Sequence, residues 1–146
     1  MEFVLHELVS VAIYSVLGIV LMLLGSFLVD LVIPCSFPEE IKKGNKAIGW
    51  ISAGVYIAVG FIIRAAISSP AEVIDAIENS LTAGLLSTVF YYALGAIFLM
   101  IGYVLLKLIN KKYNLNEEVG EGIAAAGIMV FGMFVGLGLV ISGVIA

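Results

Sequence analysis

The sequence predicts an all-α integral membrane protein of four transmembrane helices, arranged as two parallel-related two-helix repeats. Three observations predict it. Of the 146 residues, 62% are hydrophobic and 12% charged, and the mean hydropathy of +1.19 lies far above that of soluble globular chains. Four apolar runs, at 8–33, 47–67, 81–108 and 123–145, are each long enough to cross a hydrocarbon core about 30 Å thick. Finally, glycines and carboxylates recur in the second half of the chain at a nearly constant offset from the first.

The first run follows a segment that carries Glu2 and Glu7 and no Lys or Arg. It is also far longer than an h-region, so it does not read as a cleavable signal peptide. After it, Ser36 with Glu39 has the spacing of a capping box. The expectation is a second span that starts in water, keeps its first two turns polar, and enters the bilayer near Gly44. Arg64 closes that span. In the linker, Ser69, Pro70 and Glu72 make a helix start, and Val73, Ile74, Ile77 and Leu81 form an apolar stripe, which predicts a short interfacial helix. The third span ends at Lys107, and Asn114 with Glu117 repeats the capping-box spacing before the fourth span, which enters near Gly122. The domains are therefore a first hairpin at 1–68, an external linker at 69–80 and a second hairpin at 81–146.

The repeat rests on residues that greasy helices do not match by chance. An offset of 77 pairs Ser10 with Ser87, Tyr14 with Tyr91, Gly18 with Gly95 and Gly25 with Gly102. An offset of 78 pairs Glu39 with Glu117, Glu40 with Glu118, Gly44 with Gly122, Gly49 with Gly127, Gly54 with Gly132 and Gly60 with Gly138. Each repeat holds two spans, so both enter the membrane from the same side and are expected to be related by an axis along its normal. Lys42, Lys43 and Lys46, and Lys107, Lys111 and Lys112, lie at the two hairpin tips, whereas the opposite side has Arg64 among Glu2, Glu7, Glu72, Asp75 and Glu78. The positive-inside rule then places the tips in the cytosol and both termini outside a cell (inner) membrane. Tyr14, Tyr91 and Tyr92 fall near the outer boundary and Trp50 near the inner one, as aromatic belts do.

The run Asp30-Leu31-Val32-Ile33-Pro34, then Glu39-Glu40-Ile41-Lys42-Lys43-Gly44-Asn45-Lys46-Ala47 and the glycine at 54, resembles the YjfL-like inner-membrane family, domain of unknown function 350. That family also has two tandem hairpin repeats, so the resemblance covers essentially the whole chain. It implies the fold and an inner-membrane address, and no reaction. The second repeat departs from the pattern, with Ile123 in the place of Asn45 and Lys107 in the place of Asp30. Any role for that asparagine or aspartate belongs to one repeat only.

Chemistry is sparse. His6 is the one histidine, there is no His-Glu-x-x-His, and no span offers a nucleophile with a buried base, so an enzyme, a metal site or a bound cofactor is not expected. Cys35 is the one cysteine, which excludes an intrachain disulfide. The net charge of −4 comes from loops and supports no nucleic-acid partner. No span centre carries an ionisable group. Arg64 either snorkels to outer headgroups or contacts lipid or a pore mouth. Asp30 and Lys107, equivalent sites of opposite charge, either face headgroups separately or pair across the pseudo-twofold axis. Asn45, just past the charged turns, is the first choice for a specific polar contact between helices. Gly132, Gly136 and Gly143 mark one face of the fourth span, and Gly49 with Ala53 makes a small pair on the second; such residues pack helices or, alternatively, break them around a cation.

Two functions follow from this inventory. One is an oligomeric channel or passive transporter for ions or small solutes, and the other is a non-transporting scaffold or membrane-stress partner protein. The expected partners are membrane lipid, a second copy of the chain, with a dimer favoured, and a cytosolic protein at the hairpin loops. The assembly contact is expected on the Gly132/Gly136 face.

Overall fold

A computed structural model describes residues 2–69 and 81–146. The described residues fold into six helices: α1 (Glu2–Val32), α2 (Phe37–Lys42), α3 (Lys46–Ser68), α4 (Leu81–Ile109), α5 (Leu115–Gly120) and α6 (Ala124–Ile145). Four of these, α1, α3, α4 and α6, are long and apolar enough to cross a membrane. The chain is thus an all-α, multi-pass membrane protein. The interfacial helix expected in the linker lies outside the described residues.

Burial is unequal among the four. Helix α3 is the centre, with Ala47, Ile48, Ile51, Val55, Ala58 and Ile62 wholly buried, whereas α1 buries only Gly18, Leu21, Gly25 and Val29. At 1.5 Å per residue, α1 (31 residues) and α4 (29 residues) are about 46 and 44 Å long, and α3 and α6 about 34 and 33 Å.

Without water between lipid-embedded helices, close van der Waals approach has to hold them together, and glycine permits it. Helices α3 and α6 run parallel and almost touch backbone to backbone. A Cβ on Gly127 would stand 2.5 Å from Cα of Ala47, one on Gly54 would stand 2.9 Å from Cα of Phe131, and one on Gly138 would stand 2.6 Å from Cα of Ala58. Trp50 adds an edge-on contact to Phe131, with ring centroids 5.3 Å apart. Helix α1 packs antiparallel to α3, with Gly25 beside Val55 and Val59, and α4 sets Gly95 against Ile62.

The hairpin tips differ from the expectation of one unbroken helix through Gly44 or Gly122. A short helix comes first, and the chain turns before the span begins. Gly44 (φ +80°) and Gly122 (φ +79°) stand just past the ends of α2 and α5 in the left-handed region, which only glycine adopts without a steric cost. The amide of Gly44 bonds the carbonyl of Ile41 at 3.0 Å, and that of Asn45 bonds Glu40 at 2.9 Å. This is the Schellman closure of a helix end. The same pair recurs 78 residues on, Gly122 to Val119 at 3.1 Å and Ile123 to Glu118 at 3.0 Å.

The expected capping boxes also fail. Ser36 and Asn114 do occupy the N-cap positions of α2 and α5, but neither side chain makes a capping hydrogen bond. Asp30 takes over at α2, its Oδ1 accepting the Phe37 amide proton at 2.9 Å. Tyr92, expected in the outer aromatic belt, is instead 3% exposed, because its hydroxyl end reaches from α4 to the bare backbone of Gly25 on α1.

Candidate functional site

The most developed polar cluster sits where the two hairpin tips meet. Because Gly44 ends α2, Asn45 becomes the N-cap of α3, and its Oδ1 accepts the Ile48 amide proton at 3.0 Å. That leaves Nδ2 free to point outward from the helix axis. It donates to Glu40 Oε2 at 2.9 Å and to the Val119 carbonyl at 3.0 Å, with the Gly120 carbonyl at 3.4 Å. One amide therefore caps α3, ties it to α2 and binds the end of α5 from the other half of the chain. Lys43 completes the cluster with an ion pair to Glu40 Oε1 at 2.9 Å.

Electrostatics at this junction follow from those bonds. The Asn45 donor, and then the Lys43 ammonium, hold the Glu40 carboxyl below its ordinary value of 4.5, and Glu40 in turn raises Lys43. Burial, and then the carboxylates of Glu40 and Asp30, push the Cys35 thiol up. The second tip lacks the cluster: Ile123 adopts the backbone of Asn45 (φ −65°, ψ 109° against −62°, 106°) but caps nothing with its side chain. A separate bond, Tyr103 OH to Asn116 Oδ1 at 2.7 Å, fastens α4 to α5.

Asp30 and Lys107 are not brought together. Lys107 is exposed, and Asp30 is committed to α2. The close contacts between α1 and α4 are instead Tyr14 with Gly84 and Gly25 with Tyr92. Arg64 is exposed at the far end of the bundle, where it borders a groove of about 500 Å³ between α1 and α3 and one of about 300 Å³ shared with Ser68, Ser142 and Gly143. Gly49, Gly132, Gly136 and Gly143 have no other atom within 4 Å of where a Cβ would stand, and Ala53 is half-buried.

Three hydroxyls not expected inside the bundle are buried, Ser87 being expected as a repeat partner and Tyr92 as a belt residue. Ser52, Ser87 and Tyr92 lie inside the bundle and make no hydrogen bond there. Ser52 on α3 falls on the period of Ile48 and Val55, but no such stripe on α4 marks Ser87 or Tyr92, whose lipid-facing neighbours are equally apolar. Among the described residues, no three His, Cys, Asp or Glu side chains are grouped to hold a metal ion.

Four apolar spans, a glycine-packed interior and, among the described residues, charged groups confined to the ends define a multi-pass α-helical membrane protein. The family model described as Domain of Unknown Function (DUF350) matches residues 3–145, and the chain belongs to that family. It is 25% identical over 137 residues to the UPF0719 transmembrane protein YshE of Bacillus subtilis (strain 168), covering 94% of this chain and 93% of that one. It is 27% identical over 135 residues to a UPF0719 transmembrane protein of Aquifex aeolicus (strain VF5), covering 92% of this chain but 48%, about half, of that one. No solved structure matches the chain.

Proposed function

We propose that the protein is a passive conduit for ions or small solutes that works as an assembly of copies in the cell membrane. Both termini and residues 69–80 are outside in this reading, and both hairpin tips are cytosolic. Its two hairpins are copies of one unit related by an axis along the membrane normal. The 78-residue recurrence of the Gly44 and Gly122 turns supports that relation.

The observation that carries the reading is where the polar groups of the two central helices lie. Val55, Val59 and Ile62 of α3 turn toward α1 and α4; Arg64 and Ser68 lie about half a turn away, together with Ser142 of α6, in the groove at the outer end. Lys46 lies on the same side of α3 at the cytosolic end. Among the described residues a single chain has its interior filled by side chains and buries no charge, so a path has to run along this outward strip, enclosed by further copies. Two copies are the smallest closed assembly. The runner-up is a scaffold, favoured by the apolar middle of the strip, where Ile57, Phe61 and Leu139 stand.

Flux through proteoliposomes separates the two. The conduit requires transport above empty vesicles for at least one ion or small solute, and a change in its cation-to-anion ratio in Arg64→Glu. Null flux for cations, anions and neutral solutes alike leaves the scaffold.

A further inference from the structure

We propose that copies of the chain join head to tail by using a second time the interface that joins the two halves of each copy. The inference rests on the assembly part of the reading above and is independent of transport.

Inside the chain, the first hairpin offers Ala47, Gly54 and Ala58 to Gly127, Phe131 and Gly138 of the second. Carried across the 78-residue offset, the first set falls on Ala125, Gly132 and Gly136, and the second set on Gly49, Ala53 and Gly60. A second hairpin meeting the first hairpin of the next copy in the same way would use these six positions. All six are Gly or Ala, and the chain leaves them free of other helices' backbones. Gly49, Gly132 and Gly136 have open space above them, Ala125 is exposed, Ala53 is half-buried, and Gly60 meets only the flexible tip of Met22.

The grooves give an independent sign. Helix α3 lies against Gly95 and Gly138 of the second hairpin; their counterparts, Gly18 and Gly60, line the open groove of about 500 Å³ on the first. Helix α4 lies against Ile62 of the first hairpin through Gly95. Val140, the counterpart of Ile62, lines an open apolar groove of about 410 Å³ on the second. Each hairpin thus has vacant the seat that its twin has filled. The first vacancy fits α6 of the preceding copy, and the second fits α1 of the next copy. At the rim, Ile123 replaces Asn45 and would meet Ile41 and Lys42 of the next copy, the counterparts of Val119 and Gly120. Ile123 and Ile41 are both exposed, 41% and 52%. Apolar contact there takes the place of the amide bond. A face-to-face contact of two Gly132 stripes would leave both grooves empty. A head-to-tail contact instead closes into a ring when its rotation divides a full turn.

The test is cross-linking in membranes, in a Cys35→Ser background. Copies carrying Ile123→Cys are co-expressed with differently tagged copies carrying Lys42→Cys, oxidised, and examined for a product bearing both tags. That product is expected, Ile123→Cys alone is expected to give none, and Gly49→Leu and Gly132→Leu are each expected to abolish it and reduce the mass in nanodiscs to one chain. An oligomeric mass with Ile123→Cys linking to itself, or with Gly49→Leu silent, overturns this interface and leaves the assembly standing. A single-chain mass for the unsubstituted protein overturns both. The mixed product with null flux keeps the interface and removes only transport.

Discussion

Replacing Asn45 by alanine should loosen the joint between the two halves more than any other single polar change. Two losses can be sized. The N-cap of α3 disappears, which costs about 1 kcal/mol. The Val119 carbonyl, on a residue that is wholly buried, loses the Nδ2 donor and keeps the Gly122 amide, so one hydrogen bond is lost at about 0.5–1.5 kcal/mol. The bond to Glu40 is left out of the sum. The total is about 1.5–2.5 kcal/mol. For a chain of this size about 2–4 °C corresponds to each kcal/mol, so the melting midpoint in mild detergent should drop by about 3–10 °C. Asn45→Asp separates the two contributions, because it retains an acceptor for the Ile48 amide but has no donor for Val119 and sets a second carboxylate beside Glu40. At neutral pH it should melt no higher than the alanine variant. An alanine variant within 1 °C of the parent by the order of this reasoning, or an aspartate variant as stable as the parent, would refute the assignment of Asn45 as the tie between halves.

Four further outcomes follow from the same geometry. Ile123→Asn supplies the missing cap at a position with the Asn45 backbone, and should raise the midpoint by the equivalent of about 1 kcal/mol in the same melts. Because the folded-state pKa of Glu40 is depressed, its contribution is present above its ordinary value of 4.5 and is lost as pH falls through the lower folded value; melts between pH 7 and pH 3 should show this loss, and Glu40→Gln should flatten it. Tyr92→Phe removes a buried hydroxyl that has no partner and should leave stability unchanged or raise it, whereas Gly127→Leu, driven into the backbone of Ala47, should prevent a folded chain from being recovered from detergent.

Much of this architecture is legible in hydropathy, because lipid imposes length and apolarity on a span. The runs at 8–33, 47–67, 81–108 and 123–145 overlie α1, α3, α4 and α6, and the largest departure is the start of α1 at Glu2. Rotation about each helix is not legible in the same way: lipid-facing and core-facing residues are equally apolar, so nothing in the composition of α4 says that Tyr92 turns inward while Tyr91 does not. The break at Gly44 was readable from the C′ glycine rule, but the capping spacing of Ser36 and Glu39 competes with it and favours one continuous helix. Asn45 is conspicuous in the sequence as an amide beyond the charged turns; its partners are carbonyls 74 and 75 residues away, and a backbone carbonyl leaves no mark in a sequence.

The unequal lengths of the helices have a mechanical consequence. Helices α1 and α4 exceed α3 and α6 by six to nine residues, about two turns, and α1 turns a wall of large apolar side chains outward. Lipid touching α1 meets a taller hydrophobic surface than the central pair presents, and a bilayer thinner than that surface is accommodated by tilt. Tilting α1 or α4 moves the short hairpin loop it carries, and the loops are joined to each other through a single amide at Asn45. Membrane thickness and the hydrogen bonding of that amide are thereby put on one lever.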